Sequence, residues 1–494
     1  MAMPGGRKRL LVDNRVLMVA AVAAVGVASL ASGSAAANTG VVAASLSSHV
    51  WGAAEEVPGT AALNGGGAAE IGSVSCSSAG NCSAGGSYID SSGRGQAFVV
   101  NQVNGTWHTA IEVPGTAALN QGGNAEIGSV SCSSAGNCTA AGDYAPGSAS
   151  EQAFVVSQIN GTWHTAIKVP GTAALNQGGI AGIAVSCGSA GNCSAGGHYT
   201  DSSGRDQAFV VNQVNGTWHT AIEVPGTAVL NRGGNADITS VSCASAGNCS
   251  ASGDYTDSSG RNQVFVVSQI NGTWHTAIEV PGTAALNRGG DAGIGSVSCA
   301  SAGNCSAGGS YIDSSGHRQA FVVNQVNGTW HTAIEVPGTA ALNRGGYADI
   351  GSVSCASAGN CSAGGSYLPS LGHVQVFVVS QINGTWHTAI EVPGTAALNQ
   401  GKDAAIFSVS CAAAGNCSAG GYYASSRASD QAFVVNQVNG TWHTAIEVPG
   451  TAALNRGGTA FINSVSCAAA GNCSAGGFYT DSSGRGQAFV DSET

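Results

Sequence analysis

Residues 127–171 read IGSVSCSSAGNCTAAGDYAPGSASEQAFVVSQINGTWHTAIKVPG, and this stretch decides the fold. Positions 127–132 form a short β-rich run that predicts a first strand. Positions 133–137 fit a turn between Cys132 and Cys138, and 138–144 a second strand of small residues. After a polar loop, 152–159 predict a third strand with apolar groups on both faces, the pattern of a strand buried on both sides. Asn160-Gly161 is a two-residue hairpin signal. Positions 162–169 follow as a fourth strand, stopped by Pro170-Gly171. Four antiparallel strands in such a unit match the blade of a β-propeller.

The unit recurs along the chain. Its markers are Trp51, Trp107, Trp163, Trp218, Trp274, Trp330, Trp386 and Trp442, separated by six intervals of 56 residues and one of 55. After each comes a cysteine pair: Cys76 and Cys82, Cys132 and Cys138, Cys187 and Cys193, Cys243 and Cys249, Cys299 and Cys305, Cys355 and Cys361, Cys411 and Cys417, Cys467 and Cys473. A period this long means stacked or ring-closed units rather than one globular core. A β-helix rung, at roughly 20–25 residues, is too short to account for it. The ends predict closure: 51–59 hold a lone fourth strand, and 487–490 a third strand without its hairpin partner. Joined, they make a last blade and remove two exposed sheet edges. The expected fold is therefore all-β, an eight-bladed propeller of four-stranded antiparallel blades closed by the N-terminal strand. The rival is a truncated or open array.

Over residues 51–494 the units Ser129-Val130-Ser131-Cys132 and Gly136-Asn137-Cys138 resemble those of bacterial secreted repeat proteins with SVSC-x5-C-xAGG units, which look like WD40, YVTN or BNR-type propellers. The resemblance implies the fold more than an activity. Asn104-Gly105-Thr106-Trp107 approximates the Asp-box of sialidase-like propellers but is one residue tighter and lacks the Asp, which argues against sialidase chemistry.

Residues 1–37 predict a secretory signal: Arg7, Lys8, Arg9 and Arg15 precede an apolar run at 16–30, and small residues at 34–37 offer a cleavage site. An uncleaved anchor is the alternative. Residues 38–50 read as a short linker and 51–494 as the propeller. Export implies that the 16 cysteines, all within the eight pairs, are disulfides. Each would stabilise its unit by roughly 2 kcal/mol on the chain-entropy model. Zinc is the competing reading, and the units supply no further ligand at a fixed spacing other than a strand histidine. A net charge of −11, with the signal contributing a positive excess, argues against nucleic acid and against anionic membranes.

The hairpin turns and the cysteine turns share one uncharged end of the ring. The other end receives the loops between strands two and three, with Arg94, Arg205, Arg261, Arg318, Arg427 and Arg485, and the inter-blade links, with Arg232, Arg288, Arg344 and Arg456. Asp90, Asp201, Asp257, Asp313 and Asp481 join them in Asp-Ser-Ser-Gly turns, and Tyr347 stands in one link. Loop drift would explain the variation among these segments. A multivalent ligand-binding face is the functional reading. The histidines that follow seven of the eight marker tryptophans, such as His108 and His164, fall far apart on outer strands and predict no shared metal. Ca²⁺ in the Asp-Ser-Ser-Gly loops has a thin basis, one carboxylate per loop; otherwise no cofactor is expected. The expectation is a secreted, monomeric, non-catalytic propeller that recognises an extracellular glycan, cell-wall polymer or protein. The alternatives are a propeller enzyme (glycoside hydrolase, lyase or oxidase) and a purely structural repeat. No catalytic constellation stands out, since near-copies supply few unique residues.

Overall fold

The computed structural model describes residues 50–493 except 148, 149, 180, 371, 427 and 428. The expected signal, all but the last linker residue, and Arg427 lie outside the described residues. Blades are counted here by their cysteine pairs, from Cys76 and Cys82 in blade one to Cys467 and Cys473 in blade eight.

In blade two the strands Ala125–Ser134, Asn137–Gly147 and Ser150–Ile159 pair in order, and Thr162–Trp163 and Ile167–Lys168 both pair with the third strand's outer edge. Blades one to seven share this plan. Blade eight takes Ala460–Ala469, Asn472–Thr480 and Gly486–Ser492 from one end of the chain and Glu55–Glu56 from the other. Glu55 pairs with Val490 and Glu56 with Phe489, so the N-terminal strand closes the ring as the sequence predicts. Asn104 and Gly105 both have positive φ, 49° and 84°, the primed turn expected of Asn-Gly.

Every cysteine is in a disulfide with its expected partner. Cys76 bonds Cys82, and Cys132 bonds Cys138. In the next blades Cys187 bonds Cys193, Cys243 bonds Cys249, Cys299 bonds Cys305 and Cys355 bonds Cys361. Cys411 with Cys417 and Cys467 with Cys473 complete the set. The zinc alternative is thereby excluded. Each pair joins directly opposed residues of the first and second strands, as Cys132 faces Cys138. The second cysteines are not exposed turn residues: Cys193, Cys249, Cys305 and Cys361 are all buried against the neighbouring blade. The sulfurs of Cys193, Cys305 and Cys361 lie 3.4–3.5 Å from the hydroxyls of Thr139, Ser250 and Ser306 in the preceding blade. These disulfides are therefore part of the inter-blade packing and present no surface to a ligand.

The fourth strand is not the continuous one predicted. It breaks at residues 164–166, because the Ala166 N–H leaves its own blade and donates to the Pro114 carbonyl of the preceding link at 2.7 Å. Gly115, at φ 90°, lies against Thr165 and Ala166, so its position demands both a left-handed backbone and no side chain. The link then winds a single helical turn, Thr116–Leu119, with the Thr116 hydroxyl donating to the Val113 carbonyl at 2.7 Å. Four residues are too few for a periodic signal, so the sequence predicts no helix here.

The core lies between blades. Ala97, Val99 and Val113 of blade one pack with Ile127, Val130, Phe154, Val156 and Trp163 of blade two. Around the axis the innermost strands are joined through serines: the Val130 and Cys132 N–H groups donate to the Ser73 and Ser75 hydroxyls of the preceding blade, both at 2.9 Å. The joint is made alike, with Val74 and Cys76 donating to Ser464 and Ser466 at 3.0 and 2.9 Å. The serines of Ser-Val-Ser-Cys thus satisfy strand-edge donors that would otherwise be buried without partners. The 55-residue spacing also has a structural address. Other first strands carry a bulge, between Ile127 and Ser129 in blade two, which the nine-residue strand Ala181–Ser189 lacks.

The true repeating unit spans two blades. Asn101, Asn212, Asn324 and Asn436 alternate in the third strand with Ser157, Ser268, Ser380 and Ser492. The asparagines accept the indole N–H of Trp163, Trp274, Trp386 and Trp51 at 2.8–3.1 Å. The serine positions serve less well: Trp442 donates to Ser380 at 3.4 Å, while the indole N–H groups of Trp107, Trp218 and Trp330 lack a partner among the described residues. Ser157→Asn should give Trp218 its acceptor and raise stability by about 1 kcal/mol in urea denaturation. An unchanged or lowered midpoint would refute this account of the alternation.

Candidate functional site

The links and the loops between strands two and three form one continuous rim, as expected. The Gly95 N–H donates to Gly123 in the next link, and Gly66 in a link donates to Ile89 at the end of a second strand, both at 2.8 Å. The opposite end carries a cleft of about 250 Å³ between blades one and two, lined by uncharged residues such as Ser83, Asn101, Gln158 and Asn160.

On the rim the Asp-Ser-Ser-Gly carboxylates are engaged by their own turns. Asp90 accepts from the backbone N–H groups of Ser92 and Arg94 and from the Gln96 amide at 2.8–3.1 Å. The Arg94 N–H is the largest influence holding its carboxyl below the usual range. Asp201, Asp257, Asp313 and Asp481 repeat the arrangement. Arg94 and Arg485 donate to link carbonyls of Gln121 and Gly65, while Arg205 and Arg261 lie over Gly234 and Gly290. The link residues Arg232, Arg288 and Arg456 each donate through Nε to a carbonyl three residues back, at 3.2–3.3 Å. They and Arg344 are exposed.

Two expected residues come together. Arg318 opens a third strand, donates to Asp291 Oδ2 at 2.8 Å and to Ser310 Oγ at 2.9 Å, and holds its guanidinium 6.0 Å from the Tyr347 ring centre. The Tyr347 hydroxyl donates to Asp349 Oδ2 at 3.0 Å.

Asp349 belongs to a set the sequence reading passed over. At the link end of each first strand one position lies between a constant Ala and Ile: Glu70, Glu126, Gly182, Asp237, Gly293, Asp349, Ala405 and Phe461. Directly opposite on the second strands stand Ser87, Asp143, His198, Asp254, Ser310, Ser366, Tyr422 and Phe478. The strands read as nearly constant, yet these paired positions change chemical kind around the axis. That contrast, variation at a fixed strand register, is the signal that could have found them.

The mouth of the ring is accordingly asymmetric. Blades one, two and four are acidic, with Gly182 and His198 at these positions in blade three: burial raises the Glu70 carboxyl, with Glu126 adding to the rise. Burial likewise raises Asp237, against the pull of His198, and raises Asp254, with Asp237 adding. Blades seven and eight are aromatic. Tyr422 and Phe461 have ring centres 4.3 Å apart, Phe407 lies 5.6 Å from Tyr422, and Phe478 lies 5.1 Å from Phe461. All four rings are partly exposed, whereas the Tyr88 and Phe98 type of pair inside each blade is buried. The Tyr422 hydroxyl donates to Asp403 Oδ2 at 3.1 Å. Among the described residues no group of three or more His, Cys, Asp or Glu is placed to hold a metal ion, and no helix is long and apolar enough to cross a membrane.

No family model and no curated protein matches the chain. Solved structures similar to it include an ulvan lyase from a new polysaccharide lyase family (12% identity, TM-score 0.42, 78% of this chain and 96% of that one). Also similar are the Aleuria aurantia lectin in complex with α-methyl-L-fucoside (12%, 0.34, 65% and 94%) and a Dyadobacter fermentans protein of unknown function (11%, 0.37, 63% and 94%). At these values the likenesses say nothing of this chain's ligand.

Proposed function

We propose that the protein is a binding propeller that holds an extracellular saccharide at the link-end mouth of the ring, on blades five to eight. The observation that supports this is the partly exposed cluster of Phe407, Tyr422, Phe461 and Phe478, next to the polar groups of Asp403, Tyr347, Asp349 and Arg318. A pyranose ring has an apolar face that stacks on aromatic rings and hydroxyls that need placed donors and acceptors; this surface offers both. Eight disulfides suit the oxidising space where such polymers occur. Of the residues expected on the rim, Arg318 and Tyr347 belong to this site.

The test is a glycan and cell-wall polymer array, followed by calorimetry on the best binder. Tyr422→Ala and Phe461→Ala should each weaken binding about tenfold, at the upper end of the roughly 0.5–1.5 kcal/mol of a stacking contact, while Arg456→Ala in an exposed link leaves it nearly unchanged. Equal affinity in all three variants would refute the site. A blank array would move the proposal to a protein ligand.

One observation favours a second reading, glycoside hydrolysis. Asp237 and Asp254 oppose each other with raised carboxyls beside His198, across the axis from the aromatic side, and paired carboxylates are what that reaction requires. Sugar release from a bound polymer, lost in Asp254→Asn, would support it; binding without turnover would dismiss it.

A further inference from the structure

The joint that closes the ring contains two substitutions found in no other blade. The third strands of blades one to seven place Val and Gln, as in Val156 and Gln158, where blade eight has Asp491 and Glu493. The seven valines are 1–2% exposed and sit in the inter-blade core. Asp491 and Glu493 are equally enclosed, at 3% and 4%. Asp491 is taken out of water beside carboxylates of its own sign, which disfavours its charged form.

Nothing covalent spans this joint. All eight disulfides link residues six apart within one blade. What holds the N-terminal segment is short: Gly52 donates to Ser492, Val57 to Ala488 and Ala54 to Pro449, at 2.7–2.9 Å, and Trp51 bridges to Glu493. Gly52 lies directly over the Asp491 carboxyl. The charged groups facing Asp491 are Glu493 on its own strand and Glu55 on the N-terminal strand, both of its own sign. The neighbouring second strand offers Ala475 and Ser474 opposite residues 491 and 492, and blade seven brings Ala432, Val434, Val448 and Asn436, whose amide donates to Glu493 Oε1 at 2.6 Å. Among the described residues, none of the groups facing Asp491 is a cation.

We infer that the ring carries a pH-sensitive latch: the joint is shut while Asp491 and Glu493 are protonated and loosens when they ionise. Burial pushes Asp491 up to about 7 against the pull of the Ser492 N–H, with Glu493 and Glu55 adding to the rise. Burial pushes Glu493 up to about 7 as well, against the Asn436 amide. Released from the joint, both would titrate near the ordinary carboxylate values of about 4. The closed state therefore binds more protons between about pH 4 and pH 7, and its advantage falls across that window and levels above it.

Hydrogen exchange of the Gly52, Ala54 and Val57 amides reads the joint directly, with the Val130 and Cys132 amides of blade two as internal reference. After correction for intrinsic exchange, their protection should drop tenfold or more between about pH 4.5 and pH 8, one pKa unit being worth a factor of ten. The paired substitution Asp491→Val and Glu493→Gln, which restores the other blades' residues, should remove that drop. Asp491→Asn, which keeps the shape, should reduce it. The inference is overturned if the unmodified protein shows equal protection at both pH values, or if the paired variant loses protection as steeply.

Discussion

Gly142→Ala is expected to destabilise the protein by about 3 kcal/mol or more, the upper part of the range for overpacked cores. A Cβ at Gly142 would stand 1.8 Å from the Glu126 carbonyl oxygen, well inside any contact that can persist. The same collision, at 1.8–2.0 Å, awaits Gly86, Gly197, Gly253, Gly309, Gly365, Gly421 and Gly477. Neither party can retreat, because the oxygen belongs to the innermost strand and the glycine to the strand paired with it on one side and with the third strand on the other. The bulge between Ile127 and Ser129 does not explain it, because Gly197 meets the Gly182 carbonyl at the same 1.8 Å in the blade that lacks the bulge. The preceding position makes the control, since Ala141 and Ser252 already occupy it where most blades have glycine. In urea denaturation Gly142→Ala should lower the midpoint clearly and Ala141→Gly only slightly. A loss below about 1 kcal/mol for Gly142→Ala would mean that the two strands can separate at this point.

This glycine shows where the sequence was legible and where it was not. The repeat period, the Asn160-Gly161 hairpin and the paired cysteines are local signals, and each announces a structure made by residues close in sequence. The closure of 51–59 onto 487–490 was legible because the two ends hold complementary parts of one unit. Features set by contact between repeats were silent. The break in the fourth strand depends on the Ala166 N–H finding Pro114 in the preceding repeat, and no local pattern announces that. The pairing of Cys187 with Cys193 could be read from spacing, but not that Thr139 of another blade would lie against the Cys193 sulfur. The alternation of Asn101 and Ser157 is plain in the sequence, but its meaning is carried by an indole from the following blade. The candidate site was missed for a related reason. Loop variation drew attention to Asp90 and Arg94, whose polar groups mostly build their own rim, while Tyr422 and Phe461 stood inside strands that read as scaffold.

Trp51→Ala should cost about 4 kcal/mol, the middle of the range for removing a large buried aromatic side chain. Trp51 is 3% exposed, packs with Val434, Val448, Ile462 and Phe489, and donates its indole N–H to Asn436 at 3.1 Å. Trp218→Ala removes a similar side chain, 8% exposed, from the equivalent place between blades two and three, and its indole has no partner among the described residues to lose. The two variants should differ in kind as well as in size. Trp218 lies in mid-chain, where the hairpin before it and the link after it keep the outer strand in place. Trp51 anchors a segment whose other attachments include a two-residue pairing, three backbone hydrogen bonds and the Tyr479 hydroxyl donating to Glu56 at 3.1 Å. Its loss should free that segment and uncover the edge of Gly486–Ser492, an unpaired strand edge of the kind that recruits another chain. Size-exclusion chromatography should then show concentration-dependent oligomers for Trp51→Ala and a monomeric profile for Trp218→Ala. If both variants elute alike and lose the same stability, closure is not the weak point of the ring, and the links between blades bear the load equally. If only Trp51→Ala associates, the two-residue strand at Glu55–Glu56 is what keeps this repeat array a closed ring rather than an open one that can add further copies of itself.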